Sequence, residues 1–236
     1  MKKTILALLV LAVITSCNKT DSKGNLHITG NIKGLKKGTL YIQRIVDTAL
    51  VAIDTITIDG KSTFTSDLDL KSPEMLYLFL DRGVSNSRDN NLMFFAEPGN
   101  ITIETNLDSY ITSAKVTGSK NHDLYVEYKK ISDRFKDENL TLIEQNFKAI
   151  KRQDNKAIDS LKLKNDSNIK RSYLFATNFA INHRDYDIAP YIALSEIYDI
   201  NLKYLDTIQK SMSPKVATSL YGKKLTDYIS SIKNQQ

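Results

Sequence analysis

The sequence predicts an α+β protein: an N-terminal antiparallel β-sandwich, or partly open barrel, over residues 26–118, followed by a C-terminal helical region over 119–236. Two observations carry this reading. Short alternating apolar and polar runs broken by turn residues fill the first half, and after "VTGSKNHD" the hydrophobic period changes from two to about 3.6.

Taken in order, "LHITGNI" places Leu26, Ile28 and Ile32 on one strand face, with Gly30 at a bulge position. "GTLYIQRI" follows as a second strand. "DTITIDGKSTFTSDL" reads as a hairpin about Asp59-Gly60, where glycine supplies the positive φ of a tight turn. "MLYLFLD" and "NLMFFAEPGNITIET" add further strands, the last pair meeting near Pro98-Gly99-Asn100, for about seven in all. Phe94 and Phe95 must point to opposite faces, so one fills the sandwich while the other covers the sheet or meets the helices.

In the second half, Leu124, Tyr128, Ile131 and Phe135 share one helical face, and Ile143, Phe147, Ile150, Ala157 and Leu161 form a second. Further helices are expected across "YLFATNFAINH" and from Pro190 through Leu194, Ile197 and Tyr198. Ser213-Pro214 reads as a cap with a first-turn proline, ahead of the stripe Tyr221, Leu225, Tyr228 and Ile232. Tyrosines on these stripes are expected between helix and sheet, with a carbohydrate platform as the alternative.

The N-terminus carries a targeting signal. Lys2 and Lys3 precede an uncharged, mostly apolar run from Thr4 to Ser16, too short for a membrane span of roughly twenty residues, and residues 1–16 are read as a signal peptide. "ITSC", residues 14–17, resembles the lipobox of bacterial lipoproteins. That resemblance implies a diacylglyceryl group on Cys17, cleavage before it, and residues 17–25 as a lipidated tether. Cys17 is the only cysteine, so its lipidation leaves no thiol for nucleophilic, redox or metal chemistry. Asn18 is not the aspartate that retains some lipoproteins in the inner membrane, and the outer membrane is the expected location.

The net charge of +6 is unevenly placed: residues 25–118 hold nine Lys/Arg against eleven Asp/Glu, and 119–236 hold twenty against fifteen. The basic residues alternate with acids, as in "EYKKISDRFKDE", which reads as solvated helix faces and argues against a nucleic-acid partner. A lean toward anionic headgroups or a polyanionic glycan is the minority reading.

Residues able to support chemistry are scattered. His27, His122 and His183 show no metal-ligand spacing, so they are read as structural or surface groups, and neither a metal nor another cofactor is expected. Ser119, His122 and Asp123 lie too close in sequence to read as a triad; Ser119 or Asn121 capping a helix accounts for them. No catalytic residue is assigned. Thr48, Thr55, Ser160 and Thr207 each follow an aspartate in tripeptides that resemble an O-glycosylation acceptor pattern of exported proteins in one lineage of Gram-negative bacteria.

Set in order, "GNIKG", "GTLYI", "DTITIDGKSTF", "PEMLYLFL", "FFAEPGNITIE" and "VTGSKNHDLYVEY" resemble the N-terminal domain of unknown function that precedes a thioredoxin-like domain in many lipoproteins of Gram-negative bacteria. "FATNFAINHRDYDIAPYIAL" and "SLYGKKLTDYISSIK" resemble the helical segment joining the two. No position here matches the Cys-x-x-C motif of the thioredoxin-like part, so its redox activity is not carried over to any residue. The expected function is therefore a non-enzymatic, lipid-anchored binding or adaptor module, with a thioredoxin-like envelope protein as the partner the resemblance implies. A peptide or glycan capture module at the cell surface is the alternative. An envelope hydrolase built from paired carboxylates among the 27 acids comes third.

Overall fold

The computed structural model describes residues 24–83 and 88–234. Residues 1–16, read above as a signal peptide, Cys17 and most of the expected tether lie outside these residues. Two four-stranded sheets face each other, and helices cover the outer face of one of them, giving three layers.

The first sheet has the order β4-β1-β7-β8, built from β1 (Leu26–Lys33), β4 (Thr63–Leu68), β7 (Gly99–Asn106) and β8 (Lys115–Thr117). The second has the order β3-β2-β5-β6, from β2 (Lys37–Val46), β3 (Ala49–Asp59), β5 (Glu74–Asp81) and β6 (Asn91–Ala96). Leu26, Ile28, Ile32, Ile101 and Ile103 of the first sheet meet Leu40, Ile42, Leu76, Leu78 and Leu80 of the second in one buried core.

Three expectations change here. Asp59-Gly60 is not a hairpin turn: β3 and β4 belong to opposite sheets, and the chain crosses between them, with Gly60 at φ 86° and its N–H bonded to Lys36 O. The segment at Pro98-Gly99 makes the same crossing from β6 to β7. The sandwich is also not wholly antiparallel, because β1 runs parallel to β7, in register from Leu26↔Gly99 to Lys33↔Asn106. Gly30 sits in an unbroken ladder rather than a bulge. A Cβ there would lie 2.3 Å from the ring of Phe64, its cross-strand neighbour, so the glycine makes room for an aromatic.

The middle sheet is apolar on both faces, as a layer packed on two sides requires. Phe94 joins the sandwich core and Phe95 the helical core, and neither is exposed to solvent. Phe95 meets Tyr191 and Tyr221 edge-on, at centroid separations of 5.5 and 5.9 Å. The Tyr221 hydroxyl accepts the N–H of Met75 at 2.9 Å, stitching sheet to helix.

Two long helices, α1 (Lys120–Lys151) and α2 (Asn155–Asn182), form an antiparallel hairpin; α3 (Ile188–Ser195), α4 (Leu202–Ser211), α5 (Pro214–Ala217) and α6 (Leu220–Lys233) complete the layer. Leu124 and Tyr128 are buried as expected. Of the second expected face only Leu161 and, partly, Ala157 are covered. The chain breaks at Arg152–Asp154, Leu142, Ala149 and Leu161 pack between the two helices, and Ile143, Phe147 and Ile150 remain exposed. The helix expected to run through Tyr198 stops at Ser195. No helix among the described residues is long and apolar enough to cross a membrane.

Candidate functional site

The site is assembled where α1 leaves the sandwich. Ser119 is the N-cap of α1, and its hydroxyl accepts the N–H of His122 at 3.0 Å. Glu97, in the turn after β6, places its carboxylate at the helix start, where it accepts the N–H of Lys120 at 2.6 Å and the side-chain amide of Asn121. A negative group at an N-terminus complements the helix dipole. Asn121 Oδ1 in turn accepts the N–H of Ile188 at the start of α3. Sandwich, α1 and α3 are therefore joined through one side chain.

His122 secures the next contact. Its Nδ1 accepts the N–H of Phe95 at 3.3 Å, and burial lowers its pKa below the ordinary value, against the charge of neighbouring Asp123. The imidazole is thus held neutral, with its proton on Nε2. This bond also fixes the orientation of β6: the Phe95 N–H points away from β5, and alternation along the strand turns the N–H and C=O of Met93 the same way. No described residue pairs with those Met93 groups.

Beside this edge lies a cleft of about 710 Å³. Leu92 and Met93 of β6, Val116 of β8 and Tyr125 and Val126 of α1 line it, together with Ile111 and Ala114 from the segment before β8. Leu50 enters from the β2–β3 hairpin, which pairs with β5 only from Thr39 to Gln43 and stands clear of the sheet beyond. Leu50, Met93, Ile111 and Val126 are each 37–54 % exposed, a concentration of apolar surface at one place. The polar groups are few: His122, Lys129, the phenols of Tyr77 and Tyr125, and Asn91, whose buried Oδ1 has no hydrogen-bond partner. Burial, with Glu196 adding to it, pushes the Tyr125 phenol up to about 12, so it remains a donor at neutral pH. No carboxylate among the described residues lines the cleft.

The residues singled out from sequence fall elsewhere or serve other ends. His27 pairs with Asp67 on the surface. His183 caps α2, its ring 4.1 Å from that of Phe179. Ser119 and His122 serve as cap and clasp, so the Ser119, His122 and Asp123 grouping offers no free nucleophile. Among the described residues, no three His, Cys, Asp or Glu side chains converge as a metal site. Thr48, Thr55, Ser160 and Thr207 are all exposed, and Thr207 donates its hydroxyl to Lys203 O. Sequence reasoning missed the cleft residues Met93, Ile111 and Val126. Val126 was the readable one, an apolar residue on the solvent side of the stripe of Leu124 and Tyr128.

These features define a two-sheet sandwich module backed by helices, open at one edge. Residues 26–125 match the family model described as Domain of unknown function (DUF4369). No curated protein and no solved structure matches the chain. The match extends past the sandwich into the second turn of α1, and so takes in Ser119, His122 and Tyr125.

Proposed function

We propose that the protein is a non-enzymatic binding module, tethered to the outer membrane through lipidated Cys17, and that the cleft beside β6 takes an extended apolar segment of a partner protein. One observation carries the reading: an apolar cleft, with no carboxylate among its described lining residues, opens onto a strand edge where no described residue pairs with the Met93 N–H and C=O. Apolar walls supply affinity by removing hydrocarbon from water, at about 25 cal/mol per Å². A free edge supplies direction, because an added strand must align its own N–H and C=O groups with it. Unpaired Asn91 Oδ1 offers one further acceptor to an incoming amide.

An enzyme of the paired-carboxylate kind needs acids converging on a cleft, and the described lining offers none. A thioredoxin-like envelope protein is the partner that the family's usual context suggests; a cell-surface peptide ligand would use the same edge.

The test is a photo-crosslinking amino acid placed at Val126 in the anchored protein, with Thr57 on the outer strand β3 as the control position. A defined envelope protein crosslinked from 126 and not from 57, and lost in Met93→Pro, is the expected result. Proline removes the outward N–H while leaving the pairing with β5, as edge strands tolerate. Crosslinks to lipid alone, or capture undiminished in Met93→Pro, would refute the strand-addition reading.

A further inference from the structure

The α1–α2 hairpin holds a second unpartnered surface, far from the cleft in sequence. Leu140, Ile143, Phe147 and Ile150 follow one another at spacings of three, four and three on α1, and each is 42–65 % exposed. That spacing is the a/d seam of a coiled coil. The seam starts where the body ends: Lys136 is still tied to Glu196 beside α3, whereas beyond it the hairpin rests on its own small core of Leu142, Ala149 and Leu161. A hollow of about 220 Å³ lies beside Ile143, walled by Asn146 of α1 and Ile158 and Lys162 of α2.

We propose that this face pairs with a second copy of the same chain, the two α1 helices running antiparallel about a two-fold axis between Ile143 and Phe147. The surface is self-complementary in that arrangement, as a two-fold interface requires. Leu140 faces Ile150 of the other copy, and Ile143 faces Phe147. Each exposed Phe147 ring thus arrives beside the hollow that flanks the other chain's Ile143, a large side chain meeting an empty space of its own scale. At the flanks, Asp137 comes opposite Lys151, both exposed and neither in an ion pair among the described residues. The two Glu144 side chains approach one another near the axis, and each carries its own counter-ion in Lys148 at 2.5 Å. A parallel pair would set Phe147 against Phe147 and Lys151 against Lys151, leaving both hollows empty. The proposed dimer unites two two-helix hairpins, and the cleft beside β6 stays clear of the seam.

Analytical ultracentrifugation of the full chain carrying Cys17→Ser in mild detergent tests this, with Phe147→Glu in the same background as its comparison. Phe147 is exposed, so Phe147→Glu retains the fold, which circular dichroism checks. The expected result is a dimer in the parent and association weakened roughly tenfold or more in Phe147→Glu. Coexpressed Ile143→Cys and Phe147→Cys chains, differently tagged, should form a mixed disulfide, while Phe147→Cys alone should not crosslink to itself. A parent that stays monomeric overturns the proposal. A dimer indifferent to Phe147→Glu, or a Phe147→Cys homodisulfide, overturns the interface or its direction.

Discussion

His122 is the residue at which cap, strand edge and cleft meet, and its chemistry predicts a pH response. The fold holds the imidazole neutral, so the unfolded chain takes up a proton at a higher pH than the folded chain does. The stabilisation from the neutral ring is complete above the ordinary value of 6.5 and is lost as pH falls below it. His122→Gln should therefore flatten the loss of stability between about pH 7 and pH 5, read as the midpoint of urea unfolding across that range. Asp187 behaves oppositely. Burial raises its carboxyl pKa against a hydrogen bond from Ser219, and one buried oxygen has no partner. Here the protonated form is favoured by folding, so stability falls as pH rises through 3.8 and the values just above it. Asp187→Asn is expected to raise the thermal midpoint at neutral pH, with the gain shrinking on acidification.

At the scale of elements, β6 shows how alternation distributes a pair of adjacent aromatics between two cores. Phe94 and Phe95 are equally buried, but truncating them should damage different layers. Phe95→Ala should cost about 3–5 kcal/mol and loosen the packing of Tyr191 and Tyr221, visible as a changed near-ultraviolet dichroism. Phe94→Ala should cost a similar amount while leaving that tyrosine signal largely intact. Gly30 is the converse case, a strand position kept empty for Phe64. Gly30→Ala must displace the ring and should cost about 1–3 kcal/mol as an overpacked core, checked by denaturant unfolding. The strand faces and a helix cap at Ser119 or Asn121 were legible because each depends on a few neighbouring residues. The hairpin expected at Asp59-Gly60 was misread because a positive φ permits a turn without choosing which strands will pair afterwards.

Across the whole molecule, the middle sheet ties sandwich to helices through Phe95, Met75 and the bond that the Phe95 N–H donates to His122. Two apolar surfaces remain open, one beside the β6 edge and one on the helical hairpin. The proposed anchor makes a prediction at this scale: Cys17→Ala should move the protein from the membrane to the soluble envelope fraction with its dichroism spectrum unchanged. An unchanged membrane fraction would refute anchoring through Cys17. None of the candidate site was visible as a group in the sequence. Leu50, Met93, Ile111 and Val126 come from four separate segments, and none has a motif to mark it.

The amino-acid sequence alone determined the period of each half, the inward face of most strands, a helix start at Ser119 or Asn121 and the opposite faces of Phe94 and Phe95. These are short-range consequences of backbone geometry and hydrophobic spacing. The tertiary structure alone decided that β1 runs beside β7 in parallel, that β3 and β4 part into opposite sheets, and that Leu142 rather than Ile143 faces α2. An apolar stripe states that a face seeks cover, but which neighbour covers it depends on contacts between segments distant in the chain. The cleft exists because β6 and β8 end their sheets without meeting.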